Sequence, residues 1–179
     1  MKLQNIVIVL SHPEESRNIG AVCRAMANND ISELRIVGKK DDYDIEQVHV
    51  LAIHARGIFD SARFFTSIKE ATWDCAFCAG TTRRRGKKRG KLLLPEEFAN
   101  IAEKITDCSE DKEGRVALIF GNERTGLTDE QLDECNMGVT IPSSENFGSL
   151  NLSHAVQIMC YHIFRKALAQ KKGLYRGYT

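Results

Sequence analysis

Three stretches of this sequence concentrate residues able to bind a ligand and act on it. The first is SHPEESRNIGAVCRAM, residues 11–26, which sets Asn18, Gly20 and Arg24 as N-x-G-x-x-x-R across the start of a predicted helix. Gly20 permits close backbone approach, and Arg24, four residues further, projects from the same helix face. A guanidinium there is a permanent cation with donors for an anionic group. With a pKa above about 12 it is a reluctant base. The plain alternative is that Asn18 caps the helix and Arg24 is a surface residue.

The second stretch, GNERTGLT at residues 121–128, follows an apolar run. Gly121, Gly126 and Thr128 stand at Walker A spacing, but Leu127 occupies the lysine position. Without that cation a triphosphate loses its main charge partner, so the loop is not read as a nucleoside-triphosphate site. Its glycines fit a backbone that presses against a flat neutral group such as adenine. The third stretch, IPSSENFGSLNLSHAVQ at residues 141–157, leads from a predicted strand into the last helix. Ser149 and Asn151 bracket that helix start, where free N–H groups and the positive dipole end lie. Asn151 is also a cap candidate.

The histidines carry no metal pattern. His49 and His54 are five residues apart and do not share a helix face, and His12, His154 and His162 are isolated, so no metal site is expected. His154 beside Ser153 does not make a hydrolase, because adjacent helix residues diverge and no nucleophile elbow precedes them.

These loops need a frame. Short Val- and Ile-rich runs alternate with segments of helical period, which predicts a parallel sheet covered by helices. Strands are predicted at residues 6–10, 34–37, 75–79, 116–120 and 138–141. Helices are predicted at 19–28, 46–57, 95–105, 129–135 and 152–170, with a short one near 61–65. In the last helix Leu152, Val156, Met159, Ile163 and Phe164 form one apolar stripe. Parallel sheets bind ligands at the carboxyl ends of their strands, where all three stretches fall.

At 179 residues, 42% hydrophobic and 27% charged, the chain suits one α/β domain over residues 1–170 with a short basic and aromatic tail at 171–179. The first apolar run, residues 6–10, is too short for a signal peptide or a membrane span, so a cytoplasmic protein without membrane contact is expected. Six scattered cysteines suit reduced thiols. Cys75 and Cys78 form a CxxC without a second pair at zinc spacing, and are read as core. The net charge of +1 hides a basic run, RRRGKKRGK at residues 83–91, while acid gathers at residues 41–46. In that run Arg83, Arg84, Arg85, Lys87, Lys88, Arg89 and Lys91 are candidates for contact with RNA phosphates, two glycines letting the loop follow a backbone. The alternative is a solvated loop.

Taken in order, N-x-G-x-x-x-R, a strand into G-N-E-R-x-G-L, and I-P followed by S-L-N-L-S-x-A-V resemble the three motifs of the SpoU/TrmH class of SPOUT RNA 2′-O-methyltransferases. The likeness runs from about Asn5 to Ala169 and is strongest to the TrmJ branch, because AGTTRRR at residues 79–85 and the A-V-Q-I-M helix follow it. That branch methylates a pyrimidine ribose in the tRNA anticodon loop. The resemblance implies an α/β fold whose C-terminal segment ties a deep trefoil knot, an exception to the rule against threaded chains. It further implies S-adenosylmethionine bound by Thr81, Thr82, Arg83, Gly121, Ile141, Gly148, Ser149 and Leu150. The catalytic set it implies is Arg24 with Asn18, Glu123, Ser149 and Asn151. Glu123 could orient Arg24 or another nearby arginine through a charge-assisted hydrogen bond. RNA, most simply tRNA, is the implied partner, and a homodimer packed through the last helix is the implied assembly, although the apolar stripe could equally face its own sheet. The alternatives are a ribosomal-RNA 2′-O-methyltransferase and a non-catalytic RNA-binding protein on the same fold.

Overall fold

The computed structural model describes residues 1–83, 90–108 and 114–171. The run after Asn5 forms β1 (Ile6–Ser11), every residue of which is buried. Its side chains alternate between two cores: Ile6, Ile8 and Leu10 enter one, Val7 and Val9 the other. A strand apolar on both faces belongs inside a parallel sheet covered on both sides. Among the described residues the sheet has six strands in the order β3-β2-β1-β5-β4-β6, all parallel. The remaining strands are β2 (Glu33–Val37), β3 (Arg63–Phe65), β4 (Phe77–Thr81), β5 (Val116–Phe120) and β6 (Met137–Val139).

The larger core lies under four helices, α1 (Ser16–Ala27), α2 (Ile45–Ala52), α5 (Pro95–Cys108) and α7 (Leu152–Ala169). The smaller one lies under α4 (Ile68–Ala71) and, around α6 (Asp129–Asp133), Leu127 and Leu132, and a five-residue α3 (Arg56–Asp60) sits at the edge of the first. Gly20 takes its place in this packing. A Cβ there would lie 2.1 Å from the Val48 carbonyl oxygen, so the close approach it permits is of α1 to α2. Leu152, Val156, Met159 and Ile163 of the α7 stripe are buried in the core of their own chain, while Phe164 is half-buried.

Several sequence expectations shift. Residues 61–65, expected to form a short helix, end as the edge strand β3, because Arg63, Phe64 and Phe65 find backbone partners in Arg35, Ile36 and Val37. The strand expected at 75–79 is displaced to 77–81, since Cys75 closes a turn on Thr72 (N–O 3.0 Å). The helix expected at 46–57 stops at Ala52, and Ile53 takes φ 56°, a rare place for a β-branched residue. The break lets α3 turn Phe59 into the core, where its ring meets Phe64 edge-on at 6.2 Å. Cys78 is buried and Cys75 half-buried, and all six cysteines are free. Burial pushes the thiols of Cys23, Cys75 and Cys160 up to about 12.

At the amino ends of the strands sits a charged cluster that the sequence did not suggest. Arg35, in the middle of β2, is fully buried. Its Nη1 and Nη2 donate to the two oxygens of Asp74 at 2.5 and 3.0 Å, its Nη1 to the Ala71 carbonyl at 2.8 Å, and its Nε to Glu33 at 3.2 Å. Arg115 shares Asp74, and Arg63 shares Glu33. A bidentate fork with further acceptors satisfies a buried guanidinium that would otherwise be prohibitively desolvated.

Candidate active site

At the opposite, carboxyl ends of β4, β5 and β6 the chain reverses three times around one cavity of about 450 Å³. Thr81, Thr82 and Arg83 leave β4, and Gly121 leaves β5. Ile141, Gly148, Ser149 and Leu150 come from the connection between β6 and α7. All eight residues that the resemblance assigns to the cofactor thus stand on its walls, although up to 69 positions of sequence separate them (Thr81 to Leu150).

Local chemistry shapes each reversal. In the β5 loop the Asn122 side-chain oxygen accepts from the Thr125 N–H (2.8 Å) and hydroxyl (2.9 Å), while the Gly126 N–H reaches the Asn122 carbonyl (3.1 Å). This side-chain capped turn folds the loop back so tightly that a Cβ on Gly121 would lie 2.3 Å from the backbone of Gly126 and Leu127. Thr128, which looked like part of a Walker motif, closes a capping box with Gln131 at the start of α6. The Gln131 amide then reaches the Ser11 hydroxyl at the end of β1 (3.3 Å). Beyond β6, the Ser143 hydroxyl donates to the Gly148 carbonyl (2.8 Å), and the Ser144 hydroxyl accepts from the N–H groups of Asn146 (3.2 Å) and Phe147 (3.3 Å). The Arg83 guanidinium lies against Gly148, 2.6 Å from where a Cβ would stand. Asn151 caps α7, accepting from the Ser153 N–H and hydroxyl at 3.1 Å each.

Glu123 ties this region to the segment after β1. Its two oxygens accept from the Glu14 N–H (2.8 Å) and the Asn18 amide (3.3 Å). Asn18 lies inside the first turn of α1, whose N-cap position is Glu15, so it is a partner of Glu123 and not a cap. Tyr43 fixes the same segment by donating to the Pro13 carbonyl (2.8 Å). Burial, with the charges of Asp42 and Glu123 adding, pushes that phenol up to about 12, so it remains a donor. Arg24 is not oriented by Glu123. It lies six residues beyond Asn18, about 9 Å along the helix axis, exposed and without a hydrogen bond or ion pair among the described residues. The reason is geometric: the carboxylate reaches the first turn of α1, and Arg24 stands in the third.

The structure therefore brings Asn18 and Glu123 together, places Ser149 on the cavity wall with Asn151 next to it at the start of α7, and leaves Arg24 on the outer face of α1. Of the basic candidates, Arg83 lines the cavity and Lys91 pairs with Glu97 at 3.6 Å. Arg84, Arg85, Lys87, Lys88 and Arg89 fall outside the described residues, as does the tail from residue 172. Sequence reading missed Asn122, Thr125 and Arg124, which folds over Glu14 (3.2 Å). The N-x-x-T spacing for the Asn122-capped turn and the T-x-x-Q spacing for the capping box were both visible signals. Among the described residues no group of three His, Cys, Asp or Glu side chains could hold a metal, and no helix is long and apolar enough to cross a membrane.

Such a pocket offers backbone groups and apolar side chains to a small ligand, with arginines at its rim. Comparison with known proteins agrees in kind. Residues 5–161 match the SpoU rRNA Methylase family. The tRNA (cytidine-2'-O-)-methyltransferase TrmJ of Methanocaldococcus jannaschii is 37% identical over 166 residues, covering 93% of this chain and 70% of that protein. The tRNA (cytidine/uridine/adenosine-2'-O-)-methyltransferase TrmJ of Pseudomonas aeruginosa is 38% identical over 163 residues, covering 90% of this chain and 61% of its own length. Among solved structures, a probable methylase family protein from Haemophilus influenzae superposes with a TM-score of 0.84 at 35% identity, over 99% of this chain and 73% of that one. The SpoU methyltransferase AviRb of Streptomyces viridochromogenes, solved with the cofactor AdoMet, shares the fold at a TM-score of 0.65 and 18% identity, over 92% of this chain and 58% of that one. With a family match over most of its length and relatives above a third identical, the chain belongs to the SpoU methylase family.

Proposed function

We propose that this protein transfers a methyl group from S-adenosylmethionine to a ribose 2′-oxygen of tRNA, at a pyrimidine of the anticodon loop. The observation that carries the reading is the convergence of three distant loops on one cavity of about 450 Å³, within the range of about 300–1,000 Å³ usual for ligand pockets. The walls suit this cofactor. Phe120, Leu127, Ile141 and Leu150 supply apolar surface, and Gly121 and Gly148 leave bare backbone where no Cβ fits. A nucleoside without phosphate needs no phosphate-cradling G-x-G-x-x-G, and the sequence has none.

When bound, S-adenosylmethionine supplies a sulfonium methyl open to in-line attack. The chain must then hold the ribose in line and ease charge onto its oxygen. Arg24 positions the adjoining phosphate and stabilises the developing alkoxide. Glu123, through Asn18 and the Glu14 N–H, locks the start of α1 to the cavity loop, so that the helix bearing Arg24 keeps its place. Ser149 on the wall and Asn151 at the start of α7 hold the sugar, Asn151 with its amide nitrogen because its oxygen is engaged by Ser153.

Two features of assembly belong to the same reading. The C-terminal segment ties a trefoil knot, supported by its path: β6 lies at the sheet edge beside β4, yet α7 packs on α1 and α5. The active unit is a homodimer that presents the exposed Arg24 of α1 to bound RNA. Ribosomal RNA and a non-catalytic role are not favoured, since the two named relatives are tRNA 2′-O-methyltransferases. The test is calorimetric titration with S-adenosylmethionine followed by transfer of its labelled methyl to unmodified tRNA transcripts. Saturable binding and a 2′-O-methylated nucleotide are expected. No binding at millimolar cofactor would overturn the reading.

A further inference from the structure

Of the eight phenylalanines, all among the described residues, only Phe147 is exposed, and at 85% it is nearly free of the fold. It is not a loose surface residue. Its own N–H is held by the Ser144 hydroxyl, and the next residue, Gly148, is held by Ser143 on one side and crowded by the Arg83 guanidinium on the other. Gly148 and Ser149 are cavity wall. A rigid turn thus lifts one aromatic ring into solvent at the rim of the cavity, one residue from an exposed cation.

Its neighbours decide what it can receive. Ser143, Ser144, Glu145 and Asn146 are polar and exposed, so the ring is not part of an apolar patch suited to a protein partner. A flat aromatic face beside a guanidinium matches a nucleotide, with its base for the ring and its phosphate for the cation. We propose that Phe147 is a stacking residue for a nucleobase of the RNA, adjoining the ribose presented to the cavity, with Arg83 on the phosphate beside it. This rests on the function proposed above and adds to it a substrate contact. Because every base has a π-face, the contact aligns the strand without choosing its sequence.

The experiment compares Phe147→Ala, Phe147→Leu and Phe147→Tyr in steady-state methylation of unmodified tRNA transcripts. Calorimetric affinity for S-adenosylmethionine and the urea midpoint are measured beside it. The alanine and leucine variants should raise KM for tRNA at least about fivefold, and tyrosine should stay within about twofold of the native protein. Cofactor affinity and stability should not change, since the ring is 85% exposed. The increase should be the same with cytidine or uridine at the methylated position. A native KM in the alanine variant, or rescue by leucine as complete as by tyrosine, overturns the stacking role while native turnover keeps the function intact. A native protein that neither binds the cofactor nor methylates tRNA removes both.

Discussion

The two ends of this sheet are both rich in charge, and they use it in opposite ways. At the amino ends Asp74 is shared by Arg35 and Arg115, and Glu33 by Arg35 and Arg63, with Arg35 wholly buried. At the carboxyl ends Arg83 and Ser149 face solvent or the cavity, as Arg24 faces solvent further along α1, and what is satisfied around the cavity is mostly the loop backbone that forms it. A polar group whose partners lie within the chain holds the fold. One kept in place by its neighbours but left without a partner of its own is available to a ligand.

The contrast is most sharply exposed by Asp74→Ala, which strands a buried guanidinium. Loss of one partner of a buried pair costs about 3–5 kcal/mol, to be read as a fall in urea midpoint, while KM for S-adenosylmethionine in the folded fraction stays native. A pH series probes the same cluster. Burial alone would push the Asp74 carboxyl up, but the hydrogen bonds and charges of Arg35 and Arg115 outweigh it and bring it down to about 2. A carboxyl held below its ordinary value of about 4 stabilises the fold above that pH, and the contribution is lost as pH falls toward 2. The urea midpoint should therefore drop between about pH 4 and pH 2, and a flat profile in this window breaks the assignment.

At the other end the pattern inverts. Arg24→Ala should lower kcat about 100-fold, or about 2.7 kcal/mol, with cofactor affinity and thermal midpoint unchanged because the side chain is exposed and unpaired. Normal turnover would make Arg24 a bystander. Glu123 joins the two behaviours, since it is a site residue with a structural task. A double-mutant cycle of Glu123→Gln with Asn18→Ala should return a coupling of about 1 kcal/mol in stability, and additive effects would detach α1 from the cavity loop. The smallest effect belongs to Asn151→Ala, where loss of the cap costs about 1 kcal/mol in thermal stability. A larger loss in methylation than in stability would give Asn151 its second, ribose-holding task.

Much of this is legible in the sequence. The run at residues 116–120 reads as a buried strand and is one, because its burial on both faces writes an unbroken apolar string. The last helix announces itself through its stripe. Other features hinge on distant partners. Phe64 and Phe65 look like part of a helix until β2 offers them an edge. Asn18 has the residue type and place of a cap, and only Glu123, 105 residues away, makes it a bridge. Arg35 sits in a strand with nothing nearby to predict that Asp74 would accompany it into the interior.

From its residues alone this chain determined that strands and helices alternate and that three loops carry the chemistry, because periodicity and turn composition act over a few neighbours. Tertiary structure decided that β4, β5 and β6 lie side by side at one end of the order, which is what brings Thr81, Gly121 and Ser149 onto one cavity. It also decided which charges are used up in the fold and which remain, because a partner far along the chain is fixed by packing and leaves no trace in local spacing.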